Sequence, residues 1–246
     1  MTSRRFIMKK IGSHVLSTLF GLFLLFILFV SSFEIVCYNT KGLYEHEFKK
    51  YAVLDELSYW ANADMTMPDL LSVMDETMLY LRGDRADLVV ETTVNGKARE
   101  FYNAKEKSHM ADVQDIFVLC LFFRNICCIG SLAILGLLTV LASPIHALHE
   151  LAAGYIRTCL VFLVLLGTIG LLAASDFTKY FTIFHEIFFS QGNWLFDPRE
   201  SLMINMLPEG FFSDMAFRIA VTFSALMAGV LLLSLILFII TRRKKA

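Results

Sequence analysis

Four stretches of this 246-residue chain are apolar over the roughly 20 residues that a bilayer core demands. They run from Ile11 to Cys37, from Ile116 to Ala142, from Thr158 to Ala174 and from Ala216 to Thr241. Backbone groups in lipid must be satisfied within their own segment, so each stretch is expected to be an α-helix. The third is the shortest and must borrow flanking residues. With 57% hydrophobic and 18% charged residues, the composition excludes both a disordered chain and an ordinary water-soluble enzyme. The net charge of -1 offers no basic excess for nucleic acid, which is excluded as an expected partner.

Charge orients the four crossings. Arg4, Arg5, Lys9 and Lys10 precede the first stretch, and Arg242, Arg243, Lys244 and Lys245 follow the last. An even number of crossings puts both basic tails on one side, which the positive-inside rule makes the cytoplasm. Residues 38–115 hold 15 acids and 9 bases, and residues 175–215 hold 6 and 2, so both intervening segments are acidic and expected outside. The expected layout is a tail and first span (1–37), an extracellular cap (38–115), a second span (116–142), a cytoplasmic loop (143–157), a third span (158–174), an extracellular interfacial segment (175–215), and a fourth span with basic tail (216–246). The first apolar stretch is too long for a secretory signal and lacks a lipobox before Cys37, which favours an uncleaved anchor. Of the five cysteines, Cys120, Cys127, Cys128 and Cys159 lie within spans and Cys37 at a membrane edge, so no disulfide framework is expected outside.

The fold class expected is therefore membrane α-helical, four transmembrane helices with a small α+β extracellular cap. In the cap, the pattern predicts helices over Leu43 to Asn62 and Pro68 to Leu81. A hairpin follows, with Leu88 to Val94 and Arg99 to Tyr102 flanking Asn95-Gly96, a dipeptide suited to positive φ at both turn positions. In the last outer segment Phe177, Tyr180, Phe181, Phe184, Ile187 and Phe188 recur with helical spacing and form one apolar stripe. Such a helix suits the membrane interface, with Thr178, Thr182, His185 and Glu186 turned away from the acyl chains and Trp194 as an anchor.

Several residues could carry chemistry. His109 lies just before the second span, with Asp112 three residues on, able to face it if the helix begins early. His185 flanks the third span, so topology brings two imidazoles to the level of the outer-leaflet glycerol esters, where they are a candidate acid and base. The alternative is that each is an interfacial histidine bonded to backbone or water. Arg124, roughly 12 Å below the outer boundary of the second span, and Glu34 on the first are intramembrane charges, suited to pairing with each other or to contact with a headgroup or an oxyanion. His146, His149 and Glu150 in SPIHALHE fit no zinc motif, and no metal or cofactor is expected. Cys37 could in principle accept an acyl group, although no base adjoins it in sequence.

Four ordered motifs carry a resemblance. They are E-x-S-H-M-x-D-V at Glu106 to Val113, F-H-x-I-F-F at Phe184 to Phe189, N-W-L-F-D-P at Asn193 to Pro198, and L-P-E-x-F-F at Leu207 to Phe212. Together with the four-span plan they make the chain resemble the bacterial lipoprotein intramolecular transacylase family. The resemblance implies an enzyme of the Gram-positive cell membrane acting on diacylglyceryl-modified lipoproteins within membrane lipid. The sn-2 acyl chain would move to the α-amino group of the same N-terminal Cys, giving the lyso-form lipoprotein. The family's functional histidine pair maps onto His109 and His185. Phe212 stands where the family often has Trp.

Intramolecular transfer needs proton carriers more than a nucleophile, because the attacking amine and the ester already belong to one molecule. An imidazole can both free the amine and protonate the departing glyceryl oxygen. The sequence does not say which histidine does which. Asp112 and Glu186 are candidate orienting groups, and Arg124 is a candidate oxyanion support. Two other readings are kept: a non-catalytic membrane protein whose cap binds a partner, and a Cys37-dependent acyltransferase.

Overall fold

The computed structural model describes residues 2–189 and 191–243, with side chains from Ile11 onward. The basic side chains at 4, 5, 9 and 10, and Lys244 and Lys245 in the tail, lie outside what is described. In chain order the elements are α1 (Thr2–Asn39), α2 (Leu43–Lys50), α3 (Val53–Ala61), α4 (Met67–Arg82), β1 (Glu91–Val94), β2 (Lys97–Glu100), α5 (Ala104–Leu141), α6 (Pro144–Ser175), α7 (Phe177–Phe188), α8 (Leu202–Met206) and α9 (Glu209–Arg243). Four helices, α1, α5, α6 and α9, are long and apolar enough to cross a membrane.

The chain divides into two compact units. The first comprises 1–34, 121–172 and 219–246, and the second 35–120 and 173–218. The first unit is built from the apolar parts of the four long helices. Its core joins Leu25, Tyr155, Cys159, Phe223 and Met227, and the Tyr155 hydroxyl donates to the Met227 carbonyl at 3.2 Å. Helices α1 and α6 approach closely there, since a Cβ on Gly154 would lie 2.1 Å from the Ser17 carbonyl oxygen. At 38 residues α5 far exceeds a bilayer core, and its first twelve residues carry Lys105, Glu106, Lys107, Asp112 and Asp115. The uncharged apolar run of α5 starts near Ile116, and 104–115 is its charged first portion.

Helix α6 starts at Pro144, not at Thr158, so most of the loop expected over 143–157 is helix. Ser143 supplies the reason: its hydroxyl accepts from the His146 amide at 3.3 Å, and Pro144 stands at the first helical position, where its missing N–H costs nothing.

In the second unit the helix expected over Leu43 to Asn62 breaks at Ala52, which has φ 48°. Phe48, Val53 and Leu57 are all buried. On one straight helix Phe48 and Val53 would point about 140° apart, so the left-handed residue returns both to one core. Thr66 caps α4 through the Asp69 amide, and Gly83 ends it at φ 83°. The hairpin turn forms at Asn95-Gly96 as expected, with positive φ at both residues and Val94 opposite Lys97. The strands are Glu91–Val94 and Lys97–Glu100 rather than Leu88 to Val94 and Arg99 to Tyr102, because a two-residue turn pairs the residues immediately on either side of it. Asn95 also ties the turn to the α3–α4 link, its Oδ1 accepting from the Asp64 amide at 2.7 Å and its Nδ2 donating to the Asn62 carbonyl at 2.8 Å. The start of α9 is anchored to α2, where Arg218 donates to the buried Glu47 at 2.8 Å.

Candidate active site

The geometry begins with a helix start. Asn103 and Glu106 form a reciprocal cap on α5: the Glu106 amide donates to Asn103 Oδ1 at 2.9 Å and the Asn103 amide to Glu106 Oε2 at 2.7 Å. The same buried carboxylate accepts from the Ser201 hydroxyl at 2.6 Å and from the Met203 amide at 2.9 Å. One side chain thus starts the helix that carries His109 and holds the segment before α8. Lys105 adds a hydrogen bond to the Leu195 carbonyl.

His185 sits in the last turn of α7, a helix capped by Asp176. Its Nδ1 lies 2.7 Å from the Phe181 carbonyl oxygen. A carbonyl only accepts, so Nδ1 carries the hydrogen and the neutral ring keeps its lone pair on Nε2. The His109 and His185 rings stand 6.0 Å apart between centroids at 27°. Aromatic rings surround them. Phe189 lies 4.7 Å from His109 and 5.4 Å from His185, while Phe196 flanks His109 at 5.7 Å. Phe181 at 4.3 Å and Trp194 at 5.0 Å pack on His185. The position expected to anchor at the interface therefore lies against a site ring.

His109 is 7% exposed. Burial, then the neighbouring His185, push its pKa from 6.5 down to about 4, against the opposing pull of Asp112 and Asn193. The ring is neutral at neutral pH and can receive a proton.

The other expected residues fall as follows. The Asp112 carboxylate accepts from Asn193 Nδ2 at 2.8 Å, and among the described residues it forms no ion pair with His109. Glu186 is exposed, with no hydrogen bond to His185 found among them. Arg124 pairs with Glu34 and lies 3.2 Å from Asn125 Oδ1. Cys37 is buried. Glu150 lies between His146 at 3.8 Å and His14 at 4.0 Å, while His149 meets the Thr241 hydroxyl at 3.0 Å. In sequence, Glu106 and Asn193 stand within two of the motifs with no role of their own. The Asn103-x-x-Glu106 spacing signals a capping box, whereas nothing local signals Asn193, whose partner lies 81 residues away.

The family model described as lipoprotein intramolecular transacylase Lit matches residues 18–212. The chain belongs to that family. Its members are acyltransferases that act on lipoproteins, and this chain is an enzyme of that kind, as the four motifs implied. All four fall within the matched residues. The fold agrees with the membrane integral lipoprotein intramolecular transacylase Lit from Bacillus cereus, solved in meso, at TM-score 0.70 and 21% identity over 95% of this chain and 97% of that one. Two structures of the Bacillus cereus protein with a histidine replaced are also similar. The arginine variant gives TM-score 0.69 and 19% identity, covering 100% of this chain and 98% of that one. The alanine variant gives 0.68 and 20%, covering 98% of each. A search of the curated proteins gives no match.

Proposed function

We propose that this transacylase moves the sn-2 acyl chain of an S-diacylglyceryl-Cys lipoprotein to the α-amino group of the same Cys, using His109 and His185 as proton carriers and forming no acyl-enzyme. The observation that carries the reading is the pair of rings 6.0 Å apart, one buried and neutral, the other presenting Nε2 because Nδ1 is bonded to Phe181.

The substrate amine has an ordinary pKa of about 7.7–8.0 and arrives mostly as ammonium. His185 Nε2 takes one proton, and the freed amine attacks the ester carbonyl. In the resulting zwitterion His109 takes a second proton from nitrogen, while the His185 imidazolium returns its own to the glyceryl oxygen. The carbon–oxygen bond then breaks. The products are an amide and a free hydroxyl, and His109 releases the remaining proton to water. Like charges on close rings repel, which disfavours both rings holding a proton at once and suits one to receive while the other gives. Tethering supplies the orientation that a covalent intermediate would otherwise provide.

In this reading Asp112 acts on His109 at one remove, Glu186 remains a candidate partner of the His185 imidazolium in the complex, and Arg124 serves as the partner of Glu34. The charge pattern supports a multi-pass protein of the bacterial cell membrane with both termini cytoplasmic and the imidazoles at the outer leaflet, where the lipoprotein's diacylglyceryl group is embedded.

The test is conversion of a diacylglyceryl lipopeptide to the lyso form, followed by mass spectrometry. His109→Ala and His185→Ala are expected to lower the rate about 10²–10⁴-fold in folded protein. Undiminished turnover in either variant removes that residue from the mechanism.

A further inference from the structure

Two buried polar atoms near the imidazole pair have no hydrogen-bond partner among the described residues: Nδ1 of His109 and Oδ1 of Asn193. Buried polar atoms are seldom left so, and an exception within a reaction site calls for a reason. The orientation of the Asn193 amide is set by its other end. Nδ2 donates to Asp112 Oδ2 at 2.8 Å and lies 3.4 Å from the Ser108 hydroxyl. A carboxylate can only accept, so the NH2 group must face Asp112 and the carbonyl oxygen must turn the other way. Ser108, His109 and Asp112 belong to adjoining turns of α5, and Asn193 lies across them. Gly192, at φ 69°, makes the turn that delivers it, its amide donating to the Phe189 carbonyl at 3.2 Å. Asn193 is also close enough to His109 to favour its cation.

We propose that Asn193 is a positioning residue for His109: its Oδ1 accepts from His109 Nδ1–H as substrate binds, and its Nδ2 keeps the amide fixed on Asp112. The inference rests on the reading of His109 as a proton carrier. A bond between the two unpaired atoms satisfies both at once. That bond puts the hydrogen on Nδ1 and the lone pair on Nε2, the same tautomer that the Phe181 carbonyl imposes on His185. Both rings then present Nε2 to the substrate. When His109 receives a proton there, its Nδ1–H stays on the amide and the Asp112 carboxylate faces the new cation through one intervening group. No proton passes through Asn193. Its part is to fix tautomer and direction, as hydrogen-bonded partners do for histidines in other reactive sites.

The experiment is steady-state kinetics of the full chain in detergent, across pH, on the diacylglyceryl lipopeptide. Asn193→Ala and Asp112→Ala are each expected to lower kcat about 10–100-fold, with KM within about twofold, and the double variant to be no worse than the poorer single one. The exchange of Asp112→Asn with Asn193→Asp rebuilds the chain with its carboxylate next to His109. It is expected to recover kcat to within about fivefold of the parent and to move the acid limb of kcat/KM to higher pH, because an adjacent anion favours the imidazolium. An exchange variant as slow as Asn193→Ala, at unchanged thermal stability, overturns the proposal. So does an Asn193→Ala effect confined to KM, which assigns the amide oxygen to the substrate amine instead. Should the alanine variants not fold, 15N spectra of histidine-labelled parent protein with bound lipopeptide decide the matter: a protonated Nδ1 at His109 is expected, and a bare Nδ1 contradicts the proposal. Full activity in His109→Ala would overturn the parent reading, a result separate from all of these.

Discussion

The polar groups of the first unit and those around the imidazole pair of the second are treated in opposite ways. In the first unit Arg124 is matched to Glu34, the Arg157 guanidinium to the Ser17 hydroxyl at 2.8 Å, and the Thr158 hydroxyl to the Gly154 carbonyl at 2.8 Å. Each of these three is met by a neighbour on its own or an adjoining helix, as lipid demands of groups that water cannot reach, with the Ser131 hydroxyl as an exception, buried without a partner among the described residues. In the second unit His109 is buried with no partner for Nδ1 among the described residues, beside an amide oxygen in the same condition. The first arrangement holds helices together. The second leaves hydrogen-bonding capacity unused beside the imidazole pair, which under the proposed function is met by the substrate, at a cost in stability that the Glu106 cap and the aromatic packing offset.

Substitutions in the two units should therefore have different consequences. After the loss of either imidazole, the largest effect is expected at Glu106. Its carboxylate accepts three of the bonds described above and the residue is 1% exposed, so Glu106→Ala leaves several buried donors unmet and is expected to cost on the order of 3–5 kcal/mol. Thermal unfolding in detergent checks this, and Glu106→Gln should lose less, because it keeps the acceptor oxygen. A Glu106→Ala protein of parental stability would mean that the cap does not hold the site. Next comes the ion pair. Arg124→Ala takes the guanidinium away from the Glu34 carboxylate and is expected to destabilise by about 2–4 kcal/mol, while Arg124→Ala with Glu34→Ala should recover much of that loss. Transfer activity per folded molecule in the double variant is expected within about threefold of the parent, unlike any change to the histidines. Activity that stays lost when stability returns would give Arg124 a place in the chemistry, as oxyanion support. The smallest effect on transfer is expected from Gly154→Ala, whose methyl group would lie 2.1 Å from the Ser17 carbonyl oxygen; because backbone must move, about 3 kcal/mol of destabilisation is expected from overpacking, with transfer by the folded fraction unchanged. A neutral result there would show that α1 and α6 separate easily.

Much of the fold is written locally. An apolar run as long as a bilayer is thick can hardly be anything but a spanning helix, and Asn95-Gly96 between β-prone residues selects a two-residue hairpin through φ alone. The stripe from Phe177 to Phe188 fixes α7 to within a residue of its cap at Asp176. Where expectation and structure part, the reason is identifiable. Glu150 and Arg157 interrupt the apolar run and hide the first turns of α6, although Ser143-Pro144 marks its start. The break at Ala52 serves a core that exists only once α2 and α3 have folded against their neighbours, so no periodicity reveals it. The site divides along the same line. The two histidines stand out as ionisable groups flanking spans, whereas Asn193 acquires meaning only when a distant loop is laid over Asp112. Trp194 likewise reads as an interface anchor until the fold places its ring on His185.

The central claim is that the two imidazoles work as one unit on a single tethered substrate. Its most direct test is a double-mutant cycle in the lipopeptide assay, comparing His109→Ala, His185→Ala and the protein with both changes. If the rings exchange duties within one reaction, the double variant should be no slower than the poorer single variant, within about threefold, since losing either member already disables the pair. Losses that multiply, or a double variant that still produces the lyso form at the parental rate, would contradict the account.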